Sequence, residues 1–315
     1  MVTFSARRLS VLAVLCALAT GCGTPPAAGP AARPAGAAGP SPSAPPHAAT
    51  APAVRTPPTL APGPDGLTPV FERRTDGAGG ADGTGGAGAR GGTGGAGGRA
   101  ADRTVALTFD ADMTADQGPR AASGERFDNP ALIATLRRLE VEATVFMTGR
   151  WAEEYPDQAR SIGTDPRFEI ANHSYSHHAF RSPCYGLPRL PPEEMAADVR
   201  KAFAAFRTAG ARNVVPYFRF PGGCHDEAAL RALAPTKVTA VQWDVVGGDA
   251  FASDADAVAD QVLAGVRPGS VVVLHCTRSA APVTEAAIRR IVPELRARGY
   301  RFVKVSDLIA TQTAR

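Results

Sequence analysis

The chain beyond about residue 101 predicts an α/β fold in which a parallel sheet, closed or partly closed, has its helices outside. Three observations predict this fold. Apolar segments of strand length alternate with segments of helical periodicity. The alternation is nearly regular over about 210 residues. Every polar motif follows the carboxyl end of a predicted strand, where βα barrels build their active sites. The strand pattern alone does not separate such a barrel from an open, doubly wound sheet.

Seven segments have the apolar, β-branched character of buried strands. They are residues 104–109, 141–147, 168–171, 215–218, 238–243, 271–274 and 300–305. Apolar residues at helical spacing lie between them. The predicted helices cover residues 129–139, 153–162, 195–206, 226–233, 254–263 and 288–295. Asn129-Pro130 is a favourable helix start, because a proline in the first turn lacks only an N–H that the helix does not use. Pro293 is expected to interrupt the last helix.

Residues 1–22 have the features of a bacterial export signal. Arg7 and Arg8 form a basic start, an apolar run covers residues 9–19, and the segment closes on Gly21-Cys22. The apolar run is too short to span a membrane. The Gly-Cys end resembles a lipobox, in which Cys22 is lipidated and becomes the first residue of the mature protein. We therefore expect a lipoprotein on the outer face of the cell membrane, with ordinary secretion as the alternative.

Residues 23–101 are rich in Pro, Ala, Gly, Ser and Thr and show almost no apolar periodicity. Such a segment buries too little surface to offset its conformational entropy, so we predict a disordered linker. The domain organisation that follows is a signal at 1–22, a linker at 23–101 and a folded domain at 102–315.

The charge pattern argues against one class of partner. The formal net charge is only +4, and no cluster of basic residues is interleaved with aromatic ones. Nucleic-acid binding is therefore not expected.

Two histidines and two aspartates have the spacing of a metal site. His173 and His177 lie four residues apart, so both rings can reach one ion from a helical or tight turn. Asp110 and Asp112 follow the first strand, and residues i and i+2 of an extended chain point the same way. Zinc binds imidazole nitrogen and carboxylate oxygen, and a catalytic zinc site keeps one position open.

Further polar motifs follow the later strands. Arg219 begins the run Arg-Phe-Pro-Gly-Gly, Asp249 follows the strand at 238–243, and His275 ends the apolar run at 271–274. In this order the motifs resemble those of the polysaccharide deacetylases of the NodB-homology type, carbohydrate esterase family 4. The resemblance covers residues 102–315. It implies a distorted (β/α) barrel of about seven parallel strands with outer helices.

The resemblance also implies the metal site and the base. Asp112, His173 and His177 would bind a divalent metal, most simply zinc, that activates a water molecule. Asp110 would act as the general base on that water. Arg219 would pair with the base and orient its carboxylate.

Three more residues receive roles from the same resemblance. His275 would protonate the leaving amine or alcohol, and Asp249 would tune that histidine. Gly222 lies in a turn where its N–H would donate to the developing oxyanion.

The sequence departs from the family pattern in two motifs. The commoner first motif has two adjacent aspartates, but Ala111 stands in the second place, so the ligand role moves one residue on. In the motif that contains Asp249, Val246 replaces the first aspartate and Ala250 replaces a tryptophan. Phe251 and Trp243 are the candidates to replace that tryptophan as a wall of the acetyl pocket.

Three cysteines lie in the predicted catalytic domain, an odd number in an oxidising compartment. Cys184 follows the histidine motif, and Cys224 follows the motif that begins at Arg219. If these two motifs line one pocket, Cys184 and Cys224 are the expected disulfide pair, and Cys276 stays reduced.

The leading interpretation is a metal-dependent hydrolase that removes N-acetyl groups from an extracellular polysaccharide such as peptidoglycan or a chitin-like glycan. An esterase that removes O-acetyl groups from xylan is a close alternative on the same site. A non-catalytic, wall-binding lipoprotein is the alternative of a different class. Asp110, Arg219 and His275 argue against it, because binding alone needs none of them.

Overall fold

The computed structural model describes residues 56–75 and 102–314, which are organised around one nine-stranded sheet. The strands are β1 (Val70–Phe71), β2 (Thr104–Ala111), β3 (Ala143–Met147), β4 (Phe168–Asn172), β5 (Val214–Phe218), β6 (Thr239–Val241), β7 (Val245–Val246), β8 (Ser270–His275) and β9 (Arg301–Phe302).

The sheet has the strand order β1-β6-β5-β4-β3-β2-β8-β7, and β9 pairs with β2 off this path. Every strand pair within it is parallel. The predicted α/β fold with parallel strands is therefore confirmed, with nine strands in the place of about seven. The two additional strands, β1 and β7, are two residues long each. Strands of that length leave no periodic apolar signal in a sequence.

Side chains of the strands alternate between an inner and an outer face of the sheet. In β2, Val105, Leu107 and Phe109 belong to the outer core, whereas Ala106 belongs to the inner one. Other strand residues of the inner core are Phe146, Ala171, Tyr217 and Val271. The polar residues that continue this inner face at the carboxyl ends of the strands are Asp110, His173, Arg219 and His275. The alternation thus directs four motif residues to the same end of the sheet.

The helices pack outside the strands or against the sheet ends. They are α1 (Gln117–Ala122), α2 (Pro130–Arg138), α3 (Gly149–Glu154), α4 (Pro156–Gly163), α5 (Pro192–Thr208), α6 (Glu227–Leu233), α7 (Ala255–Gly265), α8 (Thr284–Ala297) and α9 (Val305–Thr313). The predicted start of α2 is confirmed, since the side chain of Asn129 accepts a hydrogen bond from the backbone N–H of Leu132. The predicted break at Pro293 is wrong. Helix α8 continues through it because Ile291 and Leu295 are buried on either side of the proline.

The prediction of a disordered linker throughout residues 23–101 is wrong for residues 56–75. Strand β1 pairs in parallel with β6, and Phe71 is only 2% exposed in the inner core. Leu60 packs against that core, and the Tyr217 hydroxyl donates to the carbonyl of Pro58 at 2.7 Å. A few apolar residues are enough to anchor this proline-rich segment, because β6 offers it backbone groups that need partners.

The predicted export signal, including Cys22, lies outside the described residues, as do residues 23–55 and 76–101 of the predicted linker. None of the helices within the described ranges is long and apolar enough to cross a membrane.

Candidate active site

A buried ion pair between Asp110 and Arg219 lies at the centre of the candidate site. Asp110 is the second-to-last residue of β2, and Arg219 directly follows β5. Arg219 Nη1 donates to Asp110 Oδ1 at 2.7 Å. The Nε of Arg219 donates to the carbonyl of Val241 at 3.2 Å, and its guanidinium lies 3.9 Å from the centre of the Phe146 ring. These contacts hold the Asp110 carboxylate in one orientation.

His173 follows β4 and lies against this ion pair. Its Nε2 is 3.6 Å from Asp110 Oδ2, which is too long for a hydrogen bond. Its Nδ1 is 2.9 Å from the carbonyl oxygen of Arg219. Because a carbonyl only accepts, Nδ1 carries the proton and Nε2 keeps its lone pair. Burial lowers the pKa of His173, so the ring is neutral.

The histidine motif is a tight loop and not a helix, which decides between the two forms that the sequence left open. The ring centres of His173 and His177 are 5.1 Å apart. Ser174 and His177 have left-handed φ values of 70° and 57°. Side chains hold this loop through hydrogen bonds to its backbone. Asn172 accepts from the N–H of Ser174 and Ser174 accepts from the N–H of His177, each at 2.8 Å. The Asp198 carboxylate accepts from the N–H of Tyr175 at 2.6 Å and from the N–H of Ser176 at 3.2 Å.

Asp112 and His177 form a second pair beside the first. His177 Nε2 is 3.8 Å from Asp112 Oδ2. The Thr277 hydroxyl donates a short hydrogen bond to Asp112 and accepts one from its N–H at 3.1 Å. Burial opposes ionisation of Asp112, but attraction to the His177 and His275 rings in their protonated forms and the Thr277 hydrogen bond lower its pKa. Burial lowers the pKa of His177 to about 4, so its ring is neutral at pH 7.

The predicted metal ligands have the chemistry of a zinc site but do not form a closed set of ligands. Across residues 56–75 and 102–314, no group of three His, Cys, Asp or Glu side chains is gathered closely enough to hold an ion. The three predicted ligands and Asp110 lie instead in two pairs. The nitrogen–oxygen distance is 3.6 Å between His173 and Asp110 and 3.8 Å between His177 and Asp112. Two neutral imidazoles beside an ionised carboxylate are nevertheless donors that zinc binds. The residues present therefore fit a divalent metal by their chemistry.

His275 lies beside Asp110 on the neighbouring strand, where the two residues are partners in register. Asp249 accepts from His275 Nδ1 at 2.9 Å through one oxygen, and from the His275 backbone N–H at 2.7 Å through the other. The Thr284 hydroxyl donates to the second oxygen at 2.6 Å. Burial would lower the pKa of His275, but the hydrogen bond and charge of Asp249 raise it to about 9. The ring therefore carries a proton at neutral pH.

The turn Pro221–Gly223 borders the site after Arg219. Gly222 has a φ of 63°, and a Cβ there would lie 2.7 Å from the Sγ of Cys184. A Cβ on Gly223 would lie 2.5 Å from the Trp243 ring. Both positions need glycine, because the backbone turns left-handed and packs directly against the sulfur and the indole. The role expected of the Gly222 N–H stays a prediction.

A disulfide joins Cys184 to Cys224, the pair expected from the sequence, and Cys276 is free and buried. The bond spans 40 residues of sequence. It connects the loop that follows the histidine motif to the loop that follows the turn Pro221–Gly223. Two loops beside the candidate site are therefore covalently linked.

The two candidates to replace the motif tryptophan differ in position. Trp243 lies at the site, with its ring centre 5.3 Å from the Arg219 guanidinium. Phe251 is 89% exposed and forms no part of a buried wall. Trp243 is therefore the better placed of the two to line a pocket next to Arg219.

Three residues that support the site were not predicted from the sequence. They are Asp198, Thr277 and Thr284, and each holds a motif residue or its loop by hydrogen bonds. Asp198 and Thr284 belong to helices distant in sequence from the residues they hold. Only Thr277 had a local signal, since it lies two residues after His275.

The sequence matches one family model and a group of named relatives. Residues 97–241 match the model described as polysaccharide deacetylase. The match contains the predicted metal ligands, Asp110 and Arg219, and it stops before Asp249 and His275. A chitooligosaccharide deacetylase from Bradyrhizobium is 28% identical over 217 residues, which cover 65% of this chain and 90% of that protein.

Solved structures share the fold. A peptidoglycan N-acetylglucosamine deacetylase is 27% identical with a TM-score of 0.55, over 66% of this chain and 88% of its own. A carbohydrate esterase family 4 pseudoenzyme from Bacillus anthracis is 23% identical with a TM-score of 0.53, over 66% of each chain. At that identity the likeness concerns the fold alone. The family model, the relatives and the fold agree that residues 97–241 of this chain are similar to the polysaccharide deacetylases.

Proposed function

We propose that the chain is a metal-dependent hydrolase that removes N-acetyl groups from an extracellular polysaccharide such as peptidoglycan or a chitin-like glycan. The observation that carries the proposal is the placement of Asp110 beside His275, as partners in register on β2 and β8. Arg219 fixes the carboxylate, and Asp249 keeps the imidazole protonated. Amide hydrolysis needs a base for the attacking water and an acid for the leaving nitrogen. The names of the relatives support an N-acetylated glycan as the substrate.

Asp112, His173 and His177 are the residues that would hold the metal, most simply zinc. Both rings are neutral, and a lowered pKa keeps Asp112 ionised. Asp110, in contrast, already has one carboxylate oxygen engaged by Arg219, which supports a role as base. A divalent metal bound at this place supplies Lewis-acid chemistry, since it polarises carbonyl groups and makes water more acidic.

The chain's own residues account for both proton transfers. A water molecule adds to the carbonyl carbon of the acetyl group, and Asp110 takes a proton from this water. The C–N bond then breaks as His275 gives its proton to the leaving nitrogen, so the products are acetate and a sugar amine. Asp249 acts through His275, which it orients and keeps protonated. The Gly222 N–H is the proposed donor to the oxyanion, and Trp243 is the proposed wall beside the acetyl group.

Two alternative functions make different predictions. The same residues would also serve an O-acetyl xylan esterase, because a leaving alcohol needs a proton as well. A non-catalytic wall-binding protein is compatible with the fold, which a pseudoenzyme shares. The buried pair of Asp110 and Arg219 favours catalysis, because burying charges costs desolvation free energy that a binding surface has no need to incur.

We also propose that the protein is exported and held by a lipid on Cys22 at the outer face of the cell membrane. The pattern of residues 1–22 supports this, and so does the disulfide, because disulfides persist in oxidising compartments. Mass spectrometry of the mature N-terminus should find a lipidated Cys22, and Cys22→Ala should release the protein from membranes. An unmodified N-terminus on a freely secreted protein would instead establish ordinary secretion.

The test of the function is acetate release from chitin oligosaccharides, peptidoglycan and acetylated xylan, each with and without a chelator. We expect release from an N-acetylated glycan, its loss with the chelator, and its recovery when zinc is returned. Release from xylan alone would favour the esterase. A folded, zinc-loaded protein that releases acetate from none of the three would favour the non-catalytic alternative.

A further inference from the structure

Three large hydrophobic side chains are exposed among the described residues. Tyr185 and Phe251 lie on loops beside the candidate site, and Val246 ends the short strand β7. Tyr185 is 87% exposed, Val246 50% and Phe251 89%. Single exposed apolar residues scattered over a surface are ordinary. Here, however, Val246 and Phe251 flank Asp249 in sequence, and Tyr185 follows the disulfide cysteine Cys184. The exposed apolar side chains are therefore concentrated where a substrate would approach.

Tyr185 stands at the tip of a tight turn that is strained for a bulky residue. The Leu187 N–H donates to the Cys184 carbonyl at 2.8 Å, and the two residues between them, Tyr185 and Gly186, have φ values of 44° and 74°. Two left-handed central residues are typical of a type I′ turn, which favours Gly, Asn or Asp at both places. A Cβ placed on Gly222 would lie 3.0 Å from the Tyr185 ring, so the ring lies beside Gly222. The disulfide at Cys184 anchors the turn.

Phe251 has the same unusual placement on a second turn. The Ala252 N–H donates to the Asp249 carbonyl at 3.1 Å, and Phe251 is the third residue of this turn with a φ of 63°. A left-handed residue at the third place of a turn is normally glycine or asparagine. The Phe251 N–H also donates to the carbonyl of Ala280 at 2.7 Å. The first residue of the turn, Asp249, is the one that holds His275.

The two rings belong to different sides of the site. Tyr185 lies beside the loop that follows β5, and Phe251 follows β7, the neighbour of β8. Between β5 and β7 in the sheet lie β4, β3, β2 and β8, so five strand spacings, about 24 Å along the sheet, separate the strands beside the two rings. His173 and Asp110 stand at the ends of β4 and β2 within this interval. A ligand that touched both rings would therefore pass over the acid–base residues.

We propose that Tyr185 and Phe251 stack on sugar rings of one glycan chain at either side of the acetylated residue that reacts. This inference rests on the proposed function and narrows its substrate class to chains of several sugars, with reaction at internal residues. Pyranose rings present C–H faces that an open aromatic face covers well, while their hydroxyl groups stay in water. Bulky residues on strained, left-handed backbone are retained where a function needs the side chain. The occupant is a glycan because both turns lie at the candidate site: the Phe251 turn begins at Asp249, and the Tyr185 ring lies beside Gly222.

The test removes each ring in a way that suits the backbone. Tyr185→Asn and Phe251→Gly place residues that accept left-handed φ, so both variants should melt at or above the temperature of the parent chain. Tyr185→Trp and Phe251→Tyr keep an aromatic ring. Lys237→Asn is the matched control, because Lys237 also has a left-handed φ of 58° but precedes β6 at the opposite end of the sheet.

Two readouts apply to each variant. The first is the ratio of kcat/KM for a chitin hexasaccharide to that for the disaccharide. The second is calorimetric binding of the hexasaccharide in an Asp110→Asn background. Loss of either ring should reduce the ratio and the hexasaccharide affinity about tenfold, on the scale of one aromatic contact. The aromatic replacements and Lys237→Asn should match the parent.

The outcomes separate this inference from the proposed function. Parent protein that binds the hexasaccharide but releases no acetate would contradict the function, and the binding readout would still test the rings. Ring-removing variants that keep both the ratio and the affinity would overturn the inference even with an active enzyme. The same unchanged values together with an altered sedimentation coefficient would assign the rings to a contact between protein chains and also overturn it.

Discussion

Asp249 binds His275 through both carboxylate oxygens, one to the ring Nδ1 at 2.9 Å and the other to the backbone N–H at 2.7 Å. Asp249 is fully buried, and the Thr284 hydroxyl adds a third contact at 2.6 Å. The imidazole consequently has one orientation, and its Nε2 is the nitrogen left for a substrate. A buried carboxylate that holds a histidine in this way also determines its charge.

The first prediction is a loss of activity as the pH rises through about 9. The folded-state pKa of His275, about 9, lies above the ordinary value of 6.5. His275 is therefore fully protonated near neutral pH, and it loses its proton only in alkaline solution. Asp249→Asn keeps the shape but removes the charge, so the alkaline limb of kcat should move to lower pH. The measurement is the pH profile of acetate release under saturating substrate.

A control for this prediction is Asp157→Asn, whose carboxylate is 91% exposed and pairs only with a surface arginine. Its profile should match that of the parent. An alkaline limb that stays in place in Asp249→Asn would show that His275 does not carry the limiting proton.

The second prediction concerns the metal. His173→Ala and His177→Ala should each lower the zinc content of the dialysed protein well below one ion per chain, because each removes a neutral imidazole donor. His178→Ala is the matched control from the same loop and should retain the parent content. Metal analysis by mass spectrometry gives the stoichiometry. Full zinc content in both ligand variants would exclude this site.

The positions of the motif residues at the strand ends could be predicted from the sequence, because strong local signals precede them. Strand β2 is buried along its whole length, so its apolar run is unambiguous and Asp110 falls at its end. Once parallel strands are inferred, their carboxyl ends converge, and Arg219 and His275 must approach Asp110. Cys184 and Cys224 each follow one of these motifs, so the convergence of the strand ends also makes this disulfide pair predictable.

The parts that the sequence did not predict depend on contacts between distant segments. Phe71 belongs to a two-residue strand within a proline-rich stretch, and only its fit into the inner core makes the segment ordered. Asp198 holds the histidine loop from helix α5, and the apolar periodicity that predicts this helix does not indicate that contact. Helix α8 continues through Pro293, because the packing of its buried face outweighs the low helix propensity of proline. Each is a case in which tertiary packing overrides local preference.

The third prediction is that residues 56–75 stabilise the catalytic domain. Phe71→Ala should lower the free energy of unfolding by about 3–5 kcal/mol, because it leaves a cavity in the inner core. Urea unfolding of the chain from residue 56 onward measures the change. The neighbouring exposed residue supplies the control, since Glu72→Ala should change stability by no more than about 0.5 kcal/mol. Equal stability of the two variants would mean that β1 does not contribute.

The fourth prediction concerns the disulfide. Replacing both Cys184 and Cys224 by serine should lower the free energy of unfolding by about 4 kcal/mol, the loop-closure value for a bond spanning 40 residues. Peptide mapping without reduction should recover one linked peptide pair and an unmodified Cys276. A linked peptide that contains Cys276 would show the pairing to be wrong. Cys276→Ala, a change at the free cysteine, is the control that leaves the bond intact.

The last prediction separates the two aspartates of the first motif. Asp110→Asn keeps the shape of the side chain but cannot take a proton, so acetate release should fall about 10²–10⁴-fold while zinc is retained. Asp112→Asn removes a charged oxygen donor and should instead weaken zinc binding. Zinc content and acetate release measured on the same samples distinguish the two effects.

Stability has to be measured with these two variants, because Asp110→Asn leaves the fully buried Arg219 without its ionic partner. We expect a lower unfolding temperature for Asp110→Asn than for Asp112→Asn, whose carboxylate is 18% exposed. The assays therefore belong at a temperature where circular dichroism shows both variants folded.

If Asp110→Asn then loses zinc while Asp112→Asn keeps it and loses activity, the base and the ligand have exchanged roles. Parent-like activity in both folded variants would remove Asp110 from the mechanism. The buried 2.7 Å contact between Asp110 and Arg219 favours Asp110 as the base, because it fixes this carboxylate in one orientation beside His275.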